Sequence, residues 1–334
     1  MDEVDRRLLY ELDLGSRQPL SKIARKLRLS ERIVSYRLNK LVEEKVIEKF
    51  ITIMNTSRLG FTDYKLYIRL ANVSSEKEGE ILGFLIAHPY IQWVAFCQGN
   101  YDLILAVYAR NIVHFHSILS GIQEEIGSHM AQKDLSIISG FYNFRRSYLI
   151  GGKRKAGEFT YYGEEPRRVE LDEADIKILT AVSQNARIPT IEIARETGLS
   201  PEVAKYRLKK LLKENVIQGF RPRIDTNELG VQYYKILLSL NNRTEEVERK
   251  IVSCLETFPN VVYATKCVAP WDLEFECEVE STAKLQEILA GVRDSFPGNI
   301  KDYRTVLILK EMKFDYLPMG EKYDYLKAMA NGKH

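Results

Sequence analysis

The segment LDEADIKILTAVSQNARIPTIEIARETGLSPEVAKYRLKKLLKENVIQGF, Leu171–Phe220, decides how the rest of the chain is read. Asp172 stands where an N-cap is needed, and Ile176, Ile178, Leu179 and Val182 follow at the spacing of a helical apolar stripe. Pro189-Thr190 opens a second, shorter helix carrying Ile191, Ile193 and Ala194. Gly198-Leu199-Ser200 is a tight turn in which Gly198 takes the left-handed backbone and Ser200 caps a third helix from Pro201. A short helix, a glycine turn and a basic amphipathic helix form the local pattern of a helix-turn-helix, and Val216–Arg223 supplies a β-type wing.

Projected at about 100° per residue, the third helix gathers Ala204, Leu208, Leu211 and Leu212 on one side. Glu202, Lys205, Tyr206, Lys209, Lys210 and Lys213 gather on the other. A cationic outer face suits a solvated helix as well as a DNA reader. The turn upstream favours the reader, with its first turns near base edges and its lysines near phosphates. Those six residues and Ser200 are the candidate DNA contacts of this copy.

The same text opens the chain. Asp5, Arg17, Pro19, Ile23-Ala24-Arg25, Leu29-Ser30, Tyr36-Arg37-Leu38, Val46-Ile47, Phe50 and Leu59-Gly60 recur 170 residues later, from Asp175 to Leu229-Gly230. Pro89, Cys97, Asp102 and Leu119 continue the repeat as Pro259, Cys267, Asp272 and Leu289. The offset reads as 168 near the end, where Lys133-Asp134 answers Lys301-Asp302. This is a duplicated two-domain unit, far too long in period for a solenoid. In the first copy Arg28 replaces Gly198, so that turn should cost more to form. Its reader helix, Glu31–Val42, offers Arg32, Ser35, Tyr36, Asn39 and Lys40 behind the capping Ser30. Arg and Asn are the side chains that pair bidentately with guanine and adenine. Arg37 and Arg207 project toward the core side, where pairing with Asp5 and Asp175 is expected.

From Phe61 the period changes to that of strands: Tyr64, Leu66, Ile68 and Leu70 alternate with Lys65, Tyr67 and Arg69. A helix at Glu76–His88, a hairpin of Ile91–Gln98 and Tyr101–Arg110 about Gly99-Asn100, a helix at Ile112–Ile126 and a strand at Lys133–Leu149 follow. The second copy repeats this order. The expected fold class is α+β: a winged helix-turn-helix domain plus a ferredoxin-like βαββαβ domain, the pair duplicated in tandem. The expected boundaries are 1–60, 61–150, a linker at 151–170, 171–230, 231–318 and a tail at 319–334 with a short helix at Lys322–Met329. The linker, rich in Gly, Lys, Arg and Glu, reads as a flexible tether, with a short ordered connection docked by Tyr161-Tyr162 as the alternative.

Bulk properties narrow the function. With 49 basic and 46 acidic residues the net charge is +3, so nucleic-acid affinity must come from local patches. Cys97, Cys254, Cys267 and Cys277 form no CxxC pair, and are expected reduced and buried in a cytoplasmic protein, with neither disulfide nor zinc. No apolar run approaches the roughly 20 residues of a membrane span, and no signal peptide is visible. Gly152–Gly157 has P-loop spacing, but Glu158 stands where lysine is required. No catalytic residues and no cofactor are expected.

The helix-turn-helix text, together with CQGNYDLILAVYA (Cys97–Ala109), resembles the Lrp/AsnC (leucine-responsive) family of transcriptional regulators, whose effector domain is called RAM. The resemblance covers almost everything but linker and tail. It implies a regulator that binds double-stranded DNA, and a homo-oligomer, a dimer of tandem chains assembled through RAM sheets; whether the two RAM domains pair with each other or with another chain is left open by the sequence. It also implies an amino-acid-like effector near the Gly-x-Tyr-Asp hairpin, matched by Gly99, Tyr101 and Asp102. The plain reading of that hairpin is a turn glycine and a strand-end cap. The second copy departs, with Ala269-Pro270-Trp271-Asp272. Paired subunits of this kind also form the scaffold of siroheme decarboxylases, which need histidines or arginines placed between the sheets. This chain has His88, His114, His116, His129 and His334, and the second copy has none before its tail. A protein that coats DNA without sequence choice is the third reading.

Overall fold

The computed structural model describes residues 1–152, 154, 157–163, 165–166 and 169–317; the tail and its expected helix lie outside the described residues. The first copy comprises α1 (Glu3–Leu14), α2 (Leu20–Leu27), α3 (Glu31–Glu43) and β1 (Ile47–Met54). It continues with β2 (Thr62–Leu70), α4 (Ser75–Ala87), β3 (Ile91–Gln98), β4 (Leu103–Ala109), α5 (Ile112–Ile126) and β5 (Met130–Phe144). A short strand, β6 (Phe159–Tyr162), lies between the copies. The second comprises α6 (Glu173–Gln184), α7 (Thr190–Thr197), α8 (Pro201–Lys213) and β7 (Ile217–Ile224). It ends with β8 (Gln232–Leu240), α9 (Glu245–Thr257), β9 (Val261–Val268), β10 (Leu273–Val279), α10 (Thr282–Ser295) and β11 (Ile300–Phe314).

The capping chemistry is the one expected. Asp2 and Asp172 accept from the amides of Asp5 and Asp175, and Ser30 and Ser200 from those of Ile33 and Val203. Both reader turns adopt the left-handed backbone, Gly198 at φ +71° and Arg28 at φ +58°. The first copy therefore carries strain that the second avoids.

In the larger sheet the strands run β2-β4-β3-β11-β8-β10-β9-β5-β6, and β2 also pairs with β5. Apart from β6, the eight strands thus close into a ring. Each half contributes a four-stranded ferredoxin-like sheet, and the halves join at two antiparallel seams, β3 with β11 and β5 with β9. An isolated half would leave the edges of β3 and β5 unpaired; closure within one chain satisfies them. Of the two pairings the sequence left open, the structure has the one within the chain.

One face of each sheet is covered by helices. Leu66, Ile68, Val94 and Leu105 pack with Leu85, Phe115 and Ile122, while Ile236, Leu238, Phe275 and Cys277 pack with Ile251, Leu255 and Ile288. The other faces meet inside the ring. There β10, LEFECEV, sends Leu273, Phe275 and Cys277 into the helix-covered core and buries Glu274, Glu276 and Glu278 on its opposite face, at 0, 4 and 1% exposure. Alternating glutamates ordinarily mark a solvent face; here the first half closes over them, its sheet meeting Glu274, while Arg146 and Tyr148, beyond β5, meet Glu278. Glu274 is met by Lys65 at 2.8 Å, Ser136 at 2.7 Å, Trp271 at 3.1 Å and Lys235 at 3.4 Å. Against its burial, the two lysines hold its carboxyl well below the usual range.

Three sequence readings need correction. The pairing register puts Ser136 opposite Lys65 and Val306 opposite Lys235, so the offset stays at 170 to the end of β11. The Lys133-Asp134 and Lys301-Asp302 match is coincidental; Arg304 is the counterpart of Asp134. The connection between copies is also docked instead of tethered. β6 pairs with the end of β5, and Arg154 donates to the carbonyls of Arg145, Glu256, Pro259 and Val261. The four thiols are unpaired; Cys254, expected buried, is half-exposed.

Candidate nucleic-acid interface

The two helix-turn-helix units are held by each other. Wings β1 and β7 pair antiparallel, with Ile51 facing Arg221, its own counterpart at plus 170. α1 packs on β7 and α6 on β1, so each reader domain rests on the wing of the other half. The repeated Arg and Phe residues explain themselves here. Arg17 donates to the carbonyls of Ala186 and Ile188, both at 2.8 Å, and lies over Phe220 at 5.3 Å. Reciprocally, Arg187 donates to Ser16 and lies over Phe50 at 5.3 Å. The amides of Ser16 and Ala186 donate to the carbonyls of Phe220 and Phe50. Sequence reasoning noted these repeats without a role for them.

This frame fixes α3 and α8 as a related pair with their outer faces open. Tyr36 and Tyr206 are each 69% exposed. Arg32, Asn39 and Lys40 are exposed and Ser35 half-buried on α3; Glu202, Lys205, Lys209 and Lys213 are exposed on α8. Ser30 and Ser200 are exposed while serving as caps. Lys210 departs from expectation, since its ammonium turns to Asp175 at 3.7 Å, and Lys40 lies 3.7 Å from Glu44. Arg37 binds Asp2 and Asp5, each at 2.7 Å, and Arg207 binds Asp172 and Asp175, the clamp between third and first helix that the sequence suggests. Asp5 most strongly raises the Arg37 pKa, and Asp172 that of Arg207.

The pair is not symmetric beneath. Under the first unit Asp13, fully buried, binds Arg146 and Arg221, and Arg146 forks onto Glu278 at 2.9 Å. The counterparts of Asp13, Arg146, Arg221 and Glu278 at plus or minus 170 are Ser183, Tyr316, Ile51 and Tyr108. One side is anchored by an ion cluster and the other by aromatic and aliphatic contact.

The hairpin residues lie at a seam between halves. Tyr101 is fully buried and donates to Asp134 at 2.6 Å. Gly99 has φ +127°, and a Cβ there would come within 3.3 Å of the Thr305 carbonyl. Asp102 accepts from the Leu70 amide at 2.7 Å, and Asp272 does the same for Leu240. Since the second copy makes the same bond without the glycine, architecture accounts for this part of the Asp102 geometry.

Comparison with known proteins agrees with this geometry. Residues 1–42 match the AsnC-type helix-turn-helix domain and residues 171–218 a winged helix-turn-helix DNA-binding domain. HTH-type transcriptional regulator FL11 of Pyrococcus abyssi is 31% identical over 122 residues, which are 36% of this chain and 80% of that protein. The chain belongs to the Lrp/AsnC family. Another Lrp/AsnC relative, the leucine-responsive regulatory protein of Haemophilus influenzae, is 26% identical over 151 residues, 45% of this chain and 90% of its own. Each relative thus spans less than half of the chain, as a tandem member requires. The crystal structure of the siroheme decarboxylase NirDL superposes over 99% of both chains with TM-score 0.61 at 13% identity, a likeness of fold. No helix among the described residues is long and apolar enough to cross a membrane, and no group of three or more His, Cys, Asp or Glu there suits a metal.

Proposed function

We propose that the chain is a transcriptional regulator that binds double-stranded DNA through α3 and α8, without catalysing a reaction. The observation that carries this is the coupled, solvent-open pair of reader helices. A family regulator with one unit per chain would build such a pair from two chains; here one chain closes its own. Because α3 presents Arg32, Ser35 and Asn39 where α8 presents Glu202, Lys205 and Lys209, the half-sites read by one chain differ. The test is fluorescence anisotropy on selected genomic fragments across a salt series. Replacing Lys205 and Lys209 with alanine should weaken binding on every sequence and flatten the salt slope by about two phosphate contacts' worth. An unchanged slope would remove α8 from the interface.

The siroheme decarboxylase reading rests on the shared scaffold. Against it, the described histidines avoid the ring interior (His88 lies just after α4, His114 and His116 are on α5, and His129 precedes β5), and the buried Arg146 and Arg221 are engaged by Asp13 and Glu278. The cavity inside the ring, lined by Lys65, Trp93, Tyr233, Glu276 and Glu311 among others, holds about 40 Å³. That is room for a few waters.

A further inference from the structure

Duplication supplies an internal control for cavities. Where β1 turns into β2, beneath the end of β6, a cavity of about 240 Å³ is lined by Thr56, Ser57, Asp63, Ser139, Tyr162 and Gly163, with Phe61 and Ile138 as its apolar wall. Five lining positions, 56, 57, 63, 138 and 139, have counterparts at plus 170 in Thr226, Asn227, Tyr233, Ile308 and Leu309, which line a cavity of only about 20 Å³. Tyrosine in place of Asp63 and leucine in place of Ser139 add bulk there. The first copy keeps the room, with Asp63 buried in its wall and Glu165 exposed at its rim.

Asp63 is 4% exposed. Its Oδ2 receives the Tyr162 hydroxyl at 3.4 Å, a long bond, and its Oδ1 has no hydrogen-bond partner among the described residues. Lys65, two residues along the strand, is engaged by Glu274 instead. A buried carboxylate short of hydrogen bonds costs free energy that a cation brought against it would recover. Asp63 stands on the wall between this cavity and the 40 Å³ one inside the ring, but only the larger has space for an organic molecule. Gly163 closes the rim, at φ +152°, where a Cβ would come within 2.5 Å of the Ser139 carbonyl.

We propose that this cavity binds a small organic cation, a primary amine or amidine on a compact apolar body, with Asp63 as counter-ion and Thr56 and Ser57 as neighbouring hydroxyls. The site lies away from the Gly99–Asp102 hairpin. Because Thr56 and Ser57 connect the first wing to the sheet, its occupant touches both the reader domain and the ring. The inference goes beyond the regulator reading and is tested without DNA, so either can fail alone.

The experiment is calorimetric titration of the full chain with benzylamine, against benzyl alcohol as the uncharged match. Benzylamine should bind saturably and benzyl alcohol should not. Asp63→Asn, which keeps the volume, should weaken benzylamine by about ten-fold or more; Asp63→Tyr, which copies the second half, should abolish binding. Thermal melts of each variant establish that it is folded. Difference density for benzylamine in a soaked crystal should fall beside Asp63. No saturable binding, binding indifferent to Asp63→Asn in a folded variant, or density elsewhere would overturn the proposal.

Discussion

Asp63 shows what a single buried charge does to a small protein. Burial pushes its carboxyl up from 3.8 to about 6, with Lys65 and Tyr162 pulling the other way. Between those values the folded chain retains a proton that the unfolded chain has released, so stability falls as pH rises through that window. Above pH 6 the whole penalty, about 3 kcal/mol, is in force. Replacing Asp63 with asparagine should therefore raise the melting temperature at pH 7.5 and leave it nearly unchanged at pH 4. A gain of equal size at both pH values would show that the carboxylate is not the cause. Glu274 is the opposite case: equally buried, but flanked by Lys65 and Lys235, it is held ionised. Compensation, more than depth, separates the two.

At the scale of elements, the reader helices were legible because their information is local. Caps, turn residues and the 3.6-residue stripe identify α3 and α8, and Arg37 and Arg207 face the first-helix carboxylates as the projection says they should. What fixes their separation is not local. Arg17 and Arg187 each reach across to carbonyls of the opposite half, and each covers the other half's phenylalanine. Replacing both arginines with alanine should leave each unit folded while loosening their mutual position. The preference for one half-site spacing, measured by binding to duplexes whose half-sites are moved apart in single-base steps, should flatten. If the spacing preference survives intact, the wings alone set the geometry.

The whole molecule is one closed object built from two open ones. Residues 1–150 produced alone would expose the edges of β3 and β5, which in the full chain pair with β11 and β9. Such a half should self-associate, in light scattering after size exclusion, where the intact chain needs no partner to complete its sheet. A stable monomeric half would show that the seams are dispensable. The ring interior, with its lysines, glutamates and tryptophans, exists only once both sheets are present, so the halves should unfold together. The docked connection belongs to this scale too: composition read residues 151–170 as a tether, yet Arg154 finds main-chain carbonyls that composition cannot reveal.

The sequence alone determined the two-domain unit, its duplication and the third helix of each helix-turn-helix, because each is written in short-range spacing or in self-similarity at 170 residues. Tertiary structure decided that the halves pair within one chain, that Glu274, Glu276 and Glu278 are buried, and that one cavity of two related ones stays open. The physical reason is the same in each case. A strand's pattern states that its two faces differ, but not which surface will come to lie against either face. That depends on strands distant in sequence closing over it.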